Sequence, residues 1–220
     1  MSKQYVISDN QYFSAGVASL IPGQACVSLV PEDITGGLKK LTSGVVLIYV
    51  RDRNKFRAIC HYLSFTECEL IFFFDANPGL EVYDFVSTRF WNARLPVSMF
   101  CKRIPGRLND TGDDIFNRMP PARRQRVFMA AKGLKYFHRW VSEKTTTKKG
   151  QHNYGRSLLQ IMGIYNVSVH NLSLAEGIAL AWVTIYKTEA LRKRLHLQPE
   201  NNSIPAGLIK KGNVPGHINL

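Results

Sequence analysis

The sequence predicts an α/β domain with a parallel sheet followed by an all-α domain, and three observations carry that expectation. Val45 to Val50 (VVLIYV) and Leu70 to Phe74 (LIFFF) are short, continuous apolar runs, rich in β-branched or aromatic residues, as strands buried on both faces of a parallel sheet should be. Helix-compatible stretches alternate with such runs over the first hundred residues, which argues for βα repeats. Beyond Asp113 the strand signals cease and helical spacing takes over.

Taken in order, Tyr5 to Ser8 (YVIS) is a weaker strand signal at the start and Tyr12 to Leu20 a first helix. VVLIYV supplies the next strong strand, Arg53 to Leu63 a helix, and LIFFF a further strand. Gly79 to Trp91 is helix-compatible, and Val97 to Cys101 (VSMFC) would be the last strand of the sheet. Asp113 to Glu143 forms a long helical region, with Pro120 and Pro121 placed where a helix can begin and Phe128, Leu134, Phe137 and Trp140 available for burial. Lys144 to Asn153 (KTTTKKGQHN) has no apolar periodicity and predicts a connector. Leu158, Ile161, Met162 and Tyr165 then recur at helical spacing and open a second domain. The expected organisation is therefore 1–142, a linker at 143–153, and 154–220.

Composition limits the function classes. With 45% hydrophobic, 11% aromatic and 20% charged residues the chain should fold rather than stay disordered. A formal charge of +13 favours a polyanionic partner. The excess is concentrated after Pro121, where Arg123, Arg124, Arg126, Lys132, Lys135, Arg139, Lys144, Lys148, Lys149, Arg156 and the later lysines and arginines face only Glu143, Glu176, Glu189 and Glu200. Cys26, Cys60, Cys68 and Cys101 show neither CxxC pairing nor zinc-finger spacing, so no metal site and no disulfide framework is expected. The start MSKQYVISDN lacks the order of a signal peptide, and no apolar run approaches the roughly 20 residues of a membrane span, so a cytoplasmic protein is expected. No Gly-rich phosphate loop, GxSxG turn or HExxH pair occurs, and the histidines lack spaced partners. Neither a catalytic residue nor a cofactor is expected.

Asn171 to Leu197 (NLSLAEGIALAWVTIYKTEALRKRLHL) carries the strongest functional signal, because it divides into a short apolar helix, a tight turn and a basic helix. Leu174, Ala175, Ile178 and Leu180 give the first helix a buried side. The second carries Lys187, Arg192, Lys193 and Arg194 against Glu189. That is the layout of a helix-turn-helix whose second helix enters a major groove. Thr184, Lys187 and Thr188 would stand nearest the base edges, while Arg192, Lys193 and Arg194 would hold phosphates. A competing register makes Val167 to Trp182 the reading helix, but that segment has no Lys or Arg and would approach phosphates without counter-charge.

The whole layout resembles a response regulator of the LuxR/NarL type: a CheY/flavodoxin-like receiver domain, a linker, and a helix-turn-helix DNA-binding domain. In such receivers the first strand ends in an acidic pair, and Ile7 to Val17 fits that frame with Ser8 in place of one acid and Asp9 as the other. VVLIYV puts Tyr49 where the family carries its phosphoryl-accepting aspartate, and Lys102 stands where the family keeps a lysine after the last strand. A phenol cannot form the acyl phosphate, and one carboxylate is a poor Mg²⁺ site. The resemblance implies an orphan member with a degenerate, non-phosphorylatable receiver site at Ser8, Asp9, Tyr49 and Lys102. In the second domain Tyr154 to Val167 matches the family's first helix, Ser173 to Leu180 its scaffold helix, Val183 to Leu195 its recognition helix and Asn202 to Lys211 a final helix.

The resemblance therefore implies a bacterial transcription regulator that binds double-stranded DNA, as a homodimer or as a heterodimer with another regulator, without a membrane partner. Regulators of this shape often serve fimbriae or capsule. The alternative is a non-catalytic co-regulator that acts mainly by binding another transcription factor. A single-stranded nucleic acid binder using Tyr136, Phe137 and Trp140 as a stacking platform is a weaker reading, because their spacing is that of a helix core.

Overall fold

Alternation of apolar strands with helices builds one sheet first. The computed structural model describes residues 4–20, 26–35, 41, 44–75, 89–94, 96, 98, 119–164 and 167–197. The order is β1 (Gln4–Ser8), α1 (Gln11–Leu20), β2 (Cys26–Leu29), α2 (Pro31–Thr35), β3 (Val45–Tyr49), α3 (Arg53–Leu63), β4 (Glu69–Phe74) and β5 (Phe90–Asn92). The helices α4 (Pro121–Ala131), α5 (Leu134–Lys144), α6 (Lys148–Ile161) and α7 (Val169–Leu197) follow. The strands form a five-stranded, all-parallel sheet in the order β2-β1-β3-β4-β5. Chain direction across the sheet reverses between β1 and β3, the switch point of a doubly wound fold.

The continuous apolar runs are explained by burial on both sides. Val6, Leu47, Tyr49, Ile71, Phe73 and Trp91 face Val17 of α1. Ile7, Val46, Ile48, Phe72, Phe74 and Phe90 point the other way, against Phe56, Ile59 and Leu63 of α3 and Ile178 and Trp182 of α7. Each such side chain contributes about 1.5–3 kcal/mol by leaving water, far more than any single strand propensity. Asp52 starts α3 by accepting the amides of Asn54 and Lys55, each at 2.9 Å.

The strand expectations at YVIS, VVLIYV and LIFFF and the helices at Tyr12–Leu20 and Arg53–Leu63 agree with the structure. The fifth strand is Phe90–Asn92, at the end of the stretch expected to be helical, because Phe90 and Trp91 are fully buried beside Phe72 and Phe73. Residues 79–88 lie outside the described residues, as do Val97 and 99–102, which held most of the expected VSMFC strand and Lys102.

The helical half departs further. Most of the expected connector is helix: the Thr147 hydroxyl accepts the amide of Gly150 at 3.0 Å and caps α6, which runs to Ile161 and ends before Gly163 at φ 66°. The helix expected over Tyr154 to Val167 thus begins and ends earlier. The described part of Asp113 to Glu143, from Met119 on, holds two helices, broken at Gly133 with φ 124°, a backbone conformation that favours glycine. Asn171 to Leu197 is one uninterrupted helix, with no turn between the expected scaffold and recognition segments. Nothing from Ile178 to Leu197 breaks a helix: the stretch lacks Gly and Pro and contains Ala181 and Trp182 where a turn was expected.

One apolar cluster runs from Ile7 and Phe72 of the sheet through Leu63 and Val127 to Leu158 and Trp182. The expected boundary at 143–153 therefore does not separate two cores among the described residues. The final helix expected at Asn202 to Lys211 lies outside them. Among the described residues no helix is long and apolar enough to cross a membrane.

Candidate functional site

Three of the four residues expected at a degenerate phosphorylation site meet at the carboxyl ends of β1 and β3. Ser8 is buried, and its hydroxyl accepts the amide of Asn10 at 3.0 Å. The Asp9 carboxylate accepts the amide of Arg51, at 3.0 and 3.1 Å from its two oxygens, and that of Asp52 at 2.9 Å. Those bonds tie the loop after β1 to the loop after β3. Among the described residues no three His, Cys, Asp or Glu side chains gather as a metal site.

Tyr49, the last residue of β3, lays its ring 4.5 Å from that of Phe13 and donates its hydroxyl to Asp75 Oδ2 at 2.9 Å. Burial, then the bond to Asp75, pushes this phenol up to about 12. It stays protonated at neutral pH and acts as a donor. Asp75 is held further by Arg51, 3.4 Å away, and Arg94, 3.7 Å away. This constellation of one phenol, one carboxylate and two arginines was missed in the sequence because Asp75 and Arg94 lie in loops after their strands, where spacing carries no signal.

The residues expected to read DNA are divided by the continuous α7. Thr184 and Thr188 are each 1% exposed. Their hydroxyls donate back to the carbonyls of Leu180 and Thr184, and Thr188 also approaches the carbonyl of Leu63 at 3.3 Å. Arg192 is half-buried and donates to the carbonyl of Cys68 at 3.0 Å. These three therefore lie against α3 and its following loop, which corrects the expectation that Thr184 and Thr188 face bases and Arg192 a phosphate. Lys187, Lys193 and Arg194 stand exposed.

A larger cationic surface lies on α4 to α6. Arg123, Lys132, Lys135, Arg139, Lys144, Lys148, Lys149 and Arg156 are exposed, and the one acid on these helices, Glu143, pairs with Arg139 at 3.5 Å. Lys149, His152 and Arg156 repeat along the outer side of α6. The two acids of α7 are drawn inward. Glu176 is 2% exposed and bridges Arg53 and Arg57 of α3, while Glu189 holds Arg89 at 2.9 Å. The charge run was legible in the sequence, but reading Lys144 to Asn153 as a connector hid the fact that Lys148 and Lys149 sit on a helix. Of the three aromatics considered as a stacking platform, Phe137 is core, Trp140 packs edge-on against Tyr154 at 5.6 Å, and Tyr136 is exposed. No protein-family model, curated protein or solved structure matches the chain.

Proposed function

We propose that this protein is a DNA-binding transcription regulator whose receiver-like sheet no longer takes part in phosphoryl transfer and serves protein interaction instead. One observation carries the reading: exposed cations crowd α4 to α6 and the outer side of α7, while two of the three acids of these helices are turned inward. A surface so charged lowers its free energy by displacing the counterions condensed on a duplex. Binding of this kind supplies affinity and orientation, and base contacts supply selectivity. A dimer would double a small contact set on a two-fold operator.

Fluorescence anisotropy on a labelled duplex, repeated across a salt series, tests this. Each phosphate contact contributes about −0.9 to the slope of log K against log salt, so the quadruple variant Lys135→Gln, Arg139→Gln, Lys148→Gln, Lys149→Gln should flatten the slope by up to about 3–4. An unchanged slope removes these helices from the interface. A second reading, a co-regulator that binds another transcription factor and has little sequence preference of its own, is favoured by the inward-facing Thr184 and Thr188. Equal affinity for all duplex sequences, with selective binding restored by a partner regulator, supports that second reading over the first.

A further inference from the structure

We propose that the crevice between the carboxyl ends of β3 and β4 and the first turns of α7 is a binding site for a small single-ring aromatic carboxylate. The inference does not depend on DNA binding. The crevice has a volume of about 230 Å³, with Phe56, Phe74 and Leu174 as its apolar floor and Arg51, His170 and Ser173 at its rim. An apolar cavity of about 150 Å³ admits benzene, so this space takes a ring with a carboxylate attached and is too small for a nucleotide. Its place, beyond the carboxyl ends of parallel strands, is where open α/β sheets receive ligands.

Its lining selects the charge of the ligand. Of the two arginines in the lining, Arg53 is turned to the buried carboxylate of Glu176, and Arg51 stands beside the lining's one carboxylate, Asp75. That carboxylate is already engaged by Tyr49, Arg51 and Arg94. The Arg51 contact uses Nε, and a guanidinium carries five N–H donors in a fork suited to a carboxylate. Arg51 is 65% exposed, so it can swing over the mouth at little cost in packing.

The walls are preformed. Glu176 fastens α7 to α3 through Arg53 and Arg57. Gly177 lets α7 approach β4 so closely that a Cβ there would lie 3.3 Å from the Phe74 ring. A ligand entering this space does not have to organise it, which favours affinity.

Calorimetric titration of the intact protein with benzoate, benzamide and acetate tests the proposal. Benzoate should bind, benzamide should bind about tenfold more weakly for want of the charge, and acetate should give no saturable heat for want of the ring. Arg51→Gln should weaken benzoate about tenfold and leave benzamide unchanged. Ser173→Trp should fill the mouth and abolish both. If Ser173→Trp fails to fold by circular dichroism, the Arg51→Gln contrast decides on its own. The proposal is overturned if benzoate gives no saturable heat up to about 10 mM, if benzamide or acetate binds as tightly as benzoate, if Arg51→Gln binds benzoate like the parent, or if a folded Ser173→Trp protein still does.

Discussion

A phenol kept protonated by its surroundings makes stability depend on pH in a predictable direction, and Tyr49 is such a group. Its ordinary value of 10.0 applies to the unfolded chain, whereas burial and the bond to Asp75 raise it to about 12 in the fold. Below pH 10 both states keep the proton and the contribution is constant. Between pH 10 and 12 the unfolded chain loses the proton first, so the stabilisation contributed by the neutral phenol is lost as pH rises through that window. Tyr49→Phe should cost about 1 kcal/mol at pH 8, the worth of one hydrogen bond, and that cost should shrink as pH approaches 12. Urea midpoints of both proteins at pH 8 and pH 11.5 check this; a difference that stays constant across the window refutes the assignment. At the same scale, Asp9 acts as a clamp between two loops, because its oxygens accept the amides of Arg51 and Asp52.

Among the elements, α7 does most to close the molecule, and Glu176 is where it is fastened. Its carboxylate is buried, while Arg53 and Arg57 are 55% and 39% exposed. Glu176→Gln should therefore cost about 1–3 kcal/mol, at the lower end of the cost of breaking a buried pair, because the two arginines can turn to water. Gly133→Ala should be comparably damaging by a separate route, since φ 124° strains any L side chain and the new Cβ would sit 3.4 Å from Arg57 Nη2. Thermal midpoints of the two single variants and the double variant check this. Full additivity would show that Gly133 does not touch the latch.

The same elements show what sequence reading could reach. β3, α3 and β4 were legible because an apolar run or a capped amphipathic stretch determines each locally. β5 was not, since three residues leave no periodicity and its place depends on pairing with Phe72 to Phe74. The continuity of α7 was hidden for a different reason. Packed against α3, α4 and the sheet, it buries residues on more than one side, so its pattern resembles two short helices set in different directions. At the candidate site, Tyr49 and Ser8 were visible as departures from an expected motif and Asp9 as its remaining acid, whereas Asp75, Arg94 and the crevice exist only through folding.

At the scale of the whole molecule, a shared core implies shared unfolding. Two domains joined by a connector would each melt around its own cluster, and the sheet could lose the last helices without harm. Here the ring of Trp182 on α7 meets that of Phe90 on β5 with centroids 6.4 Å apart, and Ile178 and Ala181 belong to the same cluster as Phe72 and Ile48. Removing α7 would bare the part of that sheet face that Ile178 and Trp182 cover, and an exposed apolar surface of that kind drives aggregation. Trp182→Ala should accordingly cost about 3–5 kcal/mol and lower the stability of sheet and helices together. Hydrogen exchange resolved by residue measures both halves at once in urea: amides of β3 and β4 and amides of α5 and α6 should lose protection at one common midpoint, shifted equally in the variant. If the helices of 121–161 open at a lower urea concentration than the strands, and Trp182→Ala moves only one of the two transitions, then α7 does not join the halves into one cooperative unit.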